Sequence, residues 1–373
     1  MPTSPWVTAE PLPLLRPARS LGTFWEQRVR AKPARLNRRA GDSTTRRALS
    51  ALVLGVAAAL GPASAPAHAQ AADYPHRRPV TLVIPFPAGG SVDGMARIIS
   101  ERFGRVLGQS VVIDNRGGGA GGSVGARFVA SADPDGYTLL MTPGGPLTTG
   151  PAVHNNIGYD PVTAFAPVGE LVETPLVIEV HKDLPVSTLA DLAAYARAKP
   201  GMLRWGSQGF GVLPHLMLEL FKLEAGVNIA HVPYRGTAPM LTGILAGEVQ
   251  VVVDPMPTSL PHIEAGTLRP IAIAGPVRAP SLPDVPTTGD QGFPDLSSPF
   301  WLGVVAPAGT APEIIARLNA AFRESLDAPE VRARLAAVGA DIRTGTPEDF
   351  GAMLARERAL WTKVARDAHI AVE

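Results

Sequence analysis

Pro79-Val80-Thr81-Leu82-Val83-Ile84-Pro85-Phe86-Pro87-Ala88-Gly89-Gly90-Ser91 is a short β-branched run, a turn built from proline and glycine, and a serine heading an amphipathic pattern. A near-continuous apolar strand that leads through a glycine turn into a helix is the opening of a parallel βαβ unit, with its strand covered on both faces. The pattern continues with a helix over 91–107, a strand over 111–114, a helix over 123–131 and a strand over 137–142. Working outward, a second set follows Leu189: a helix to Ala198, strand 203–206, helix 214–225, strand 229–234, helix 238–246, and strands 249–254 and 270–274.

Two α/β sets of this kind predict two lobes. The extended apolar segments 165–181 and 300–308 are placed to cross between them, and helices opening near Thr310 and Thr346 return to the first lobe. Helix starts are signposted by Thr188 with Asp191, by Thr310 with Pro312 and Glu313, and by Asp327 with Pro329 and Glu330. In open α/β sheets ligands sit beyond the carboxyl ends of the strands, so the site belongs in the strand-to-helix loops.

Composition bounds the chemistry. The 373 residues contain no cysteine, which excludes thiolate metal sites, iron–sulfur clusters and a cysteine nucleophile. Residues 1–69 hold ten Arg and Lys against three acids, leaving 24 basic and 30 acidic residues beyond them, a net charge of −6. A mildly acidic body has no basic stripe to neutralise phosphates, so nucleic acid is not an expected partner. Arg46-Arg47, the apolar run from Ala48 to Leu60, Gly61-Pro62 and the small-residue site Ala67-His68-Ala69 read as an export signal cut after Ala69, behind a Pro- and Arg-rich leader. The run of about 13 residues is shorter than the roughly 20 that a membrane-crossing helix needs. The arginine pair leaves both the general secretory route and the twin-arginine route open.

Among the loops, Phe86 to Ser91 exposes backbone amides through Ala88, Gly89 and Gly90 at a helix N-terminus, where an anion is favoured. Asp93 is placed to cap that turn and to pair with Arg97. Its counterpart in the second set is Gly206-Ser207-Gln208-Gly209-Phe210-Gly211, with Ser207, Gly209 and Gly211 as donors and His215 as either a ligand group or a capping residue. A third loop is Thr142-Pro143-Gly144-Gly145. Asp254, at the end of its strand, would favour a ligand that also carries a hydroxyl, amide or amino group. Gly117, Gly119 and Gly122 fit a dinucleotide-binding spacing, and Gly121-Gly122-Ser123-Val124-Gly125 fits the elbow of a serine hydrolase, but a run so dense in glycine matches such spacings by chance. Histidines are scattered singly, and no metal-ligand spacing or phosphate-loop lysine motif is present, so neither a metal nor a cofactor is expected.

The chain resembles the substrate-binding receptors of tripartite tricarboxylate transporters, the Bug or TctC-like proteins, from Tyr74-Pro75 to Trp361. The resemblance rests on the stretch 79–90, on Val111-Val112-Ile113-Asp114-Asn115-Arg116, Pro134-Asp135-Gly136-Tyr137-Thr138-Leu139-Leu140, Ala198-Lys199-Pro200-Gly201 and His231-Val232-Pro233-Tyr234-Arg235-Gly236. It rests also on Ala265-Gly266-Thr267-Leu268-Arg269, Leu282-Pro283-Asp284-Val285-Pro286-Thr287 and Trp301-Leu302-Gly303. Arg235 stands where a lysine is more usual, keeping the charge but changing its geometry.

The resemblance implies a two-lobed type II periplasmic-binding-protein (Venus flytrap) fold, with two mixed sheets flanked by helices and joined by two crossing strands. Lobe one is expected over 74–176 and 298–373, lobe two over 177–297. The implied function is periplasmic capture of a small organic carboxylate by a monomer that delivers it to the large and small membrane subunits of such a transporter. The resemblance and the loop reading together give as expected ligand-binding residues Phe86, Ala88, Gly89, Gly90, Ser91, Thr142, Pro143, Ser207, Gly209, Gly211, His215 and Asp254. The competing readings are a secreted hydrolase using Ser123 and a ligand sensor without transport.

Overall fold

The structure is a computed structural model that describes residues 73–154 and 156–370; the expected leader, export signal and cut after Ala69 lie outside the described residues. The chain runs β1 (Val80–Ile84), α1 (Ser91–Leu107), β2 (Val111–Asn115), α2 (Ser123–Ala130) and β3 (Thr138–Thr142). A wide helical turn over Gly145–Thr149 then leads into α3 (Gly150–Val153). Next come β4 (Phe165–Thr174), β5 (Leu176–His181), α4 (Leu189–Ala198), β6 (Arg204–Ser207), α5 (Leu213–Ala225), β7 (Ala230–Pro233) and α6 (Thr237–Leu245). The chain closes with β8 (Val251–Pro255), α7 (Met256–Glu264), β9 (Leu268–Ala274), β10 (Phe300–Pro307), α8 (Pro312–Asp327), α9 (Pro329–Ala337), β11 (Asp341–Ile342) and α10 (Pro347–Asp367).

The strands form two mixed sheets, one of six strands in the order β11-β4-β10-β3-β1-β2 and one of five in the order β7-β6-β8-β5-β9. In the first, β1 lies parallel to β2 and β3, while β10 runs antiparallel to β3 and β4. In the second, β6 lies parallel to β7 and β8, and β5 antiparallel to β8 and β9. The chain leaves the first sheet at Thr174, passes Pro175 and enters the second at Leu176; it returns to the first at Phe300, which pairs with Thr174. The two crossings therefore run side by side, and the two-lobed fold with two mixed sheets stands as expected.

Each lobe has local reasons for its shape. In α1, Val92, Met95, Ala96, Ile99, Phe103 and Leu107 are buried at helical spacing, and Gly108 ends the helix in the left-handed conformation at φ 78°. Phe103 stacks on Phe322 of α8 with ring centroids 3.8 Å apart, a burial worth about 1.5–3 kcal/mol. On the other face of the sheet, α10 lays Phe350 against β10, where a Cβ on Gly303 would strike the Phe350 ring.

Two expected helix starts are corrected. Thr188 does cap α4, accepting from the Asp191 amide at 3.0 Å, but the Thr310 hydroxyl turns back to the Pro307 carbonyl at 2.8 Å, and Ala311 stands at the cap of α8. Asp327 is the last residue of α8 rather than a cap, because Pro329 forces a break at Ala328; its carboxylate pairs with Arg332 at 2.5 Å.

Candidate functional site

The ends of β1, β3, β6, β7 and β8 open towards the space between the lobes, and α1, α5 and α6, which follow β1, β6 and β7, bring their N-termini to it. There lies a cavity of about 50 Å³. Gly90 and Ser91 reach it from the head of α1, Val212 and Leu213 from the head of α5, and Gly236 and Thr237 from the head of α6. None of these helices carries a side-chain cap: their cap positions are Gly90, Val212 and Gly236. By contrast, α4 and α10 are capped by their own Thr188 and Thr346. First-turn amides that converge from both lobes without a side-chain cap suit an anion, with the positive ends of the helix dipoles behind them.

The remaining walls are apolar or weakly polar: Phe86, Pro143, Thr149, Pro299, Phe300 and Trp301. Two polar groups stand out. Gln208 lines the cavity with its amide nitrogen turned away, donating to Asp254 Oδ1 at 2.7 Å and to the Val253 carbonyl at 3.1 Å. Glu357 of α10 also lines it, and its Oε2 accepts from the Thr148 hydroxyl at 3.1 Å. Burial raises the Glu357 carboxyl above the ordinary glutamate range, against the lowering hydrogen bonds from Trp301 and Thr148.

The lobes meet directly around this cavity. The Gly121 amide donates to the Phe210 carbonyl at 2.8 Å, and the Thr149 hydroxyl to the Gly211 carbonyl at 2.6 Å. Outside them lies a wider depression of about 730 Å³, floored by the glycine loop 117–122 and edged by His154, Phe210 and Arg235.

Of the expected residues, Phe86, Gly90, Ser91 and Pro143 line the cavity, while Ala88 and Gly209 line the outer depression, which Phe86 also reaches. The other expected residues line neither. Ser207 is fully buried, with its hydroxyl 2.6 Å from His231 Nε2 and 2.8 Å from the Gly209 carbonyl it donates to, so it serves the loop and not the cavity. Thr142 is likewise buried, and its hydroxyl donates to the Pro143 carbonyl at 2.9 Å. The Gly89 amide is taken by Asp93 Oδ2 at 3.0 Å, while Asp93 also pairs with Arg97 as expected. Gly211 faces the opposite lobe through its carbonyl. His215 takes the capping role: its Nδ1 accepts from the Gly211 amide at 3.3 Å and its ring stacks on His231 at 4.0 Å. Burial pulls His215 down to about 4 and His231 to about 3, so both rings are neutral near pH 7.

Asp254 lies behind Gln208 rather than in the cavity wall. It is fully buried, and burial pushes its carboxyl up to about 7 against hydrogen bonds from Thr258, Gln208 and Thr237. Ser123 opens α2 as a buried residue with no hydrogen bond to a histidine among the described residues. The residues that the sequence reading missed are Thr149, Gln208, Thr237 and Glu357. Gln208 and Thr237 sit in strand-to-helix loops of the same kind as those singled out, whereas Glu357 carries no sequence signal, lying inside a helix dense in charge.

Comparison with known proteins follows this geometry. The profile of the tripartite tricarboxylate transporter family receptors matches residues 95–369. The chain belongs to that family. Its members are periplasmic solute-binding proteins. This receptor is 36% identical to protein BugT of Bordetella pertussis over 316 residues, which is 84% of this chain and 96% of that one. Among solved structures it resembles a Rhodopseudomonas palustris protein determined with adipate, at a TM-score of 0.76 and 41% identity, covering 80% of this receptor and 99% of that chain. It also resembles MatC from Rhodopseudomonas palustris with bound malate, at 0.74 and 33%, covering 78% and 99%.

Proposed function

We propose that this protein is exported, loses its leader after Ala69, and captures a small organic carboxylate between lobes spanning 74–176 with 298–373 and 177–297. We propose further that it passes the ligand to the large and small membrane subunits of a tripartite tricarboxylate-type transporter. The observation that carries the reading is the convergence of the three uncapped helix N-termini of α1, α5 and α6 on one cavity between the lobes. The carboxylate accepts from first-turn amides of both lobes, so it is held fully only when the lobes are closed. The relatives solved with adipate and malate support a carboxylate as the ligand class.

Phe86, Gly90, Ser91, Thr149 and Thr237 are the residues we assign to the ligand's surroundings. A thermal-shift screen of small carboxylates against their uncharged amides tests this. A ligand that binds only the folded chain stabilises it by about 2.7 kcal/mol at a hundredfold excess over its Kd. Stabilisation by an acid and not by its amide is expected; equal stabilisation by both, or by neither across the panel, refutes the anion site.

A further inference from the structure

The carboxamide of Gln208 has one orientation that satisfies its surroundings. Its Nε2 donates to Asp254 Oδ1 and to the carbonyl of Val253, and a carbonyl accepts only from a donor, so turning the amide over would set two acceptors face to face. The orientation therefore holds whatever the charge on Asp254. The other end of the amide, Oε1, is shielded from solvent and has no hydrogen-bond partner among the described residues, although Gln208 lines the cavity. A buried acceptor without a donor is costly, and a bound molecule that presents an N–H or O–H to it removes that cost. Glu357, in the same cavity, is a second polar group; its Oε2 lies 3.1 Å from the Thr148 hydroxyl, which also faces the Gly144 carbonyl at 2.9 Å. The cavity thus combines amide donors for an anion with one side-chain acceptor, Gln208 Oε1, that an unsubstituted acid leaves unpaired.

We propose that the ligand is a small carboxylate bearing a hydroxyl or amino group, and that Gln208 Oε1 recognises that donor. Asp254 is then a positioning residue: it holds the amide nitrogen and never touches the ligand. The proposal rests on the carboxylate-receptor reading above and narrows its substrate class.

The test is titration calorimetry of the full chain with three series: succinate, malate and aspartate; adipate, 2-hydroxyadipate and 2-aminoadipate; benzoate, 4-hydroxybenzoate and 4-aminobenzoate. In the series that binds, a hydroxyl or amino member should bind about tenfold more tightly than its parent acid. Which of the two wins identifies the donor. Gln208→Met should bring that ratio close to one, and Asp254→Asn, which still offers an oxygen to Gln208 Nε2, should keep it. Parent and substituted acids binding alike in the wild type, Gln208→Met retaining the ratio, or Gln208→Met weakening both equally would each overturn the proposal. Binding of no acid in any series would overturn the receptor reading itself, which separates the two failures.

Discussion

Thr149→Val should weaken ligand binding without weakening the fold. The Thr149 hydroxyl is buried and donates across the cleft to the Gly211 carbonyl at 2.6 Å. Valine keeps the volume and removes the donor. In the closed form the Gly211 carbonyl is then left without that partner, at a cost of about 1–3 kcal/mol, whereas in an open form water serves it and nothing is lost. The penalty falls on closure alone, and since a ligand held by both lobes binds the closed form, its affinity drops by the same free energy, roughly 5- to 150-fold. Calorimetry with the best carboxylate measures the loss, and Thr149→Ser, which restores a hydroxyl, should recover the wild-type affinity. Unchanged affinity in Thr149→Val, or a ligand-free melting temperature that falls in step with the affinity, would refute the idea that this bond belongs to closure.

Stability should depend on pH through Asp254. Burial pushes its carboxyl up to about 7, from about 3.9 in an unfolded chain, so the folded chain keeps a proton that the unfolded one releases. Its contribution is complete below about pH 4 and is lost as pH rises to about 7, so the stability difference between wild type and Asp254→Asn should fall across that window by up to about 1.4 kcal/mol per pH unit. Buried Glu179 is raised by burial and further by Asp254, so the comparison is made with Glu179→Gln in both proteins, and a flat difference in urea denaturation would place the raised carboxyl elsewhere. Thr346 and Asp349 form reciprocal hydrogen bonds of 3.1 Å at the start of α10, so Thr346→Ala should cost about 1 kcal/mol in the same assay while Thr346→Ser costs less; equal losses would show that the hydroxyl is not the cap.

Most of the fold was legible because apolar spacing and punctuation agree locally. The expected helix 91–107 coincides with α1, whose buried residues recur at helical spacing before Gly108. The helix α7 was not anticipated, since Pro257 and Pro261 break the pattern within it and its formation depends on packing of Met256 and Ser259 against the second sheet. The turn Gly145–Thr149 read as a loop for the same kind of reason: its Gly, Pro and Thr content suggests no element, and its burial comes from α10 and the glycine loop. The site divides likewise. The strand-to-helix loops could be named, because strand ends locate them. Which atom in a loop faces the cavity could not, because long-range partners decide it. Ser207 is drawn away by His231, 24 residues later, and Glu357 is turned into the cavity wall beside Thr148 and Trp301.

The glycine run after β2 shows how fold and closure share their material. Its spacing imitates a dinucleotide-binding loop, yet Gly117, Gly121 and Gly122 answer to a close approach of neighbouring chain. A Cβ on Gly117 would lie 2.8 Å from Pro87 Cδ, and one on Gly122 would lie 2.9 Å from the Pro85 carbonyl oxygen. One on Gly121, at φ +57°, would lie 2.8 Å from the Gly145 carbonyl oxygen and 3.2 Å from that of Gly211. The run therefore lets one loop lie flat on the 85–87 turn and carry the Gly121 amide to the Phe210 carbonyl of the other lobe. On the proposed function, a closure made by the Gly121 amide and the Thr149 hydroxyl on backbone carbonyls would not depend on which acid is held. On the proposed function, discrimination would rest instead on the few side chains, Gln208 and Glu357 among them, that meet the cavity. Substitutions at those positions can change the ligand while the closing contacts stay intact, so altered selectivity and altered closure should separate in variants of this chain.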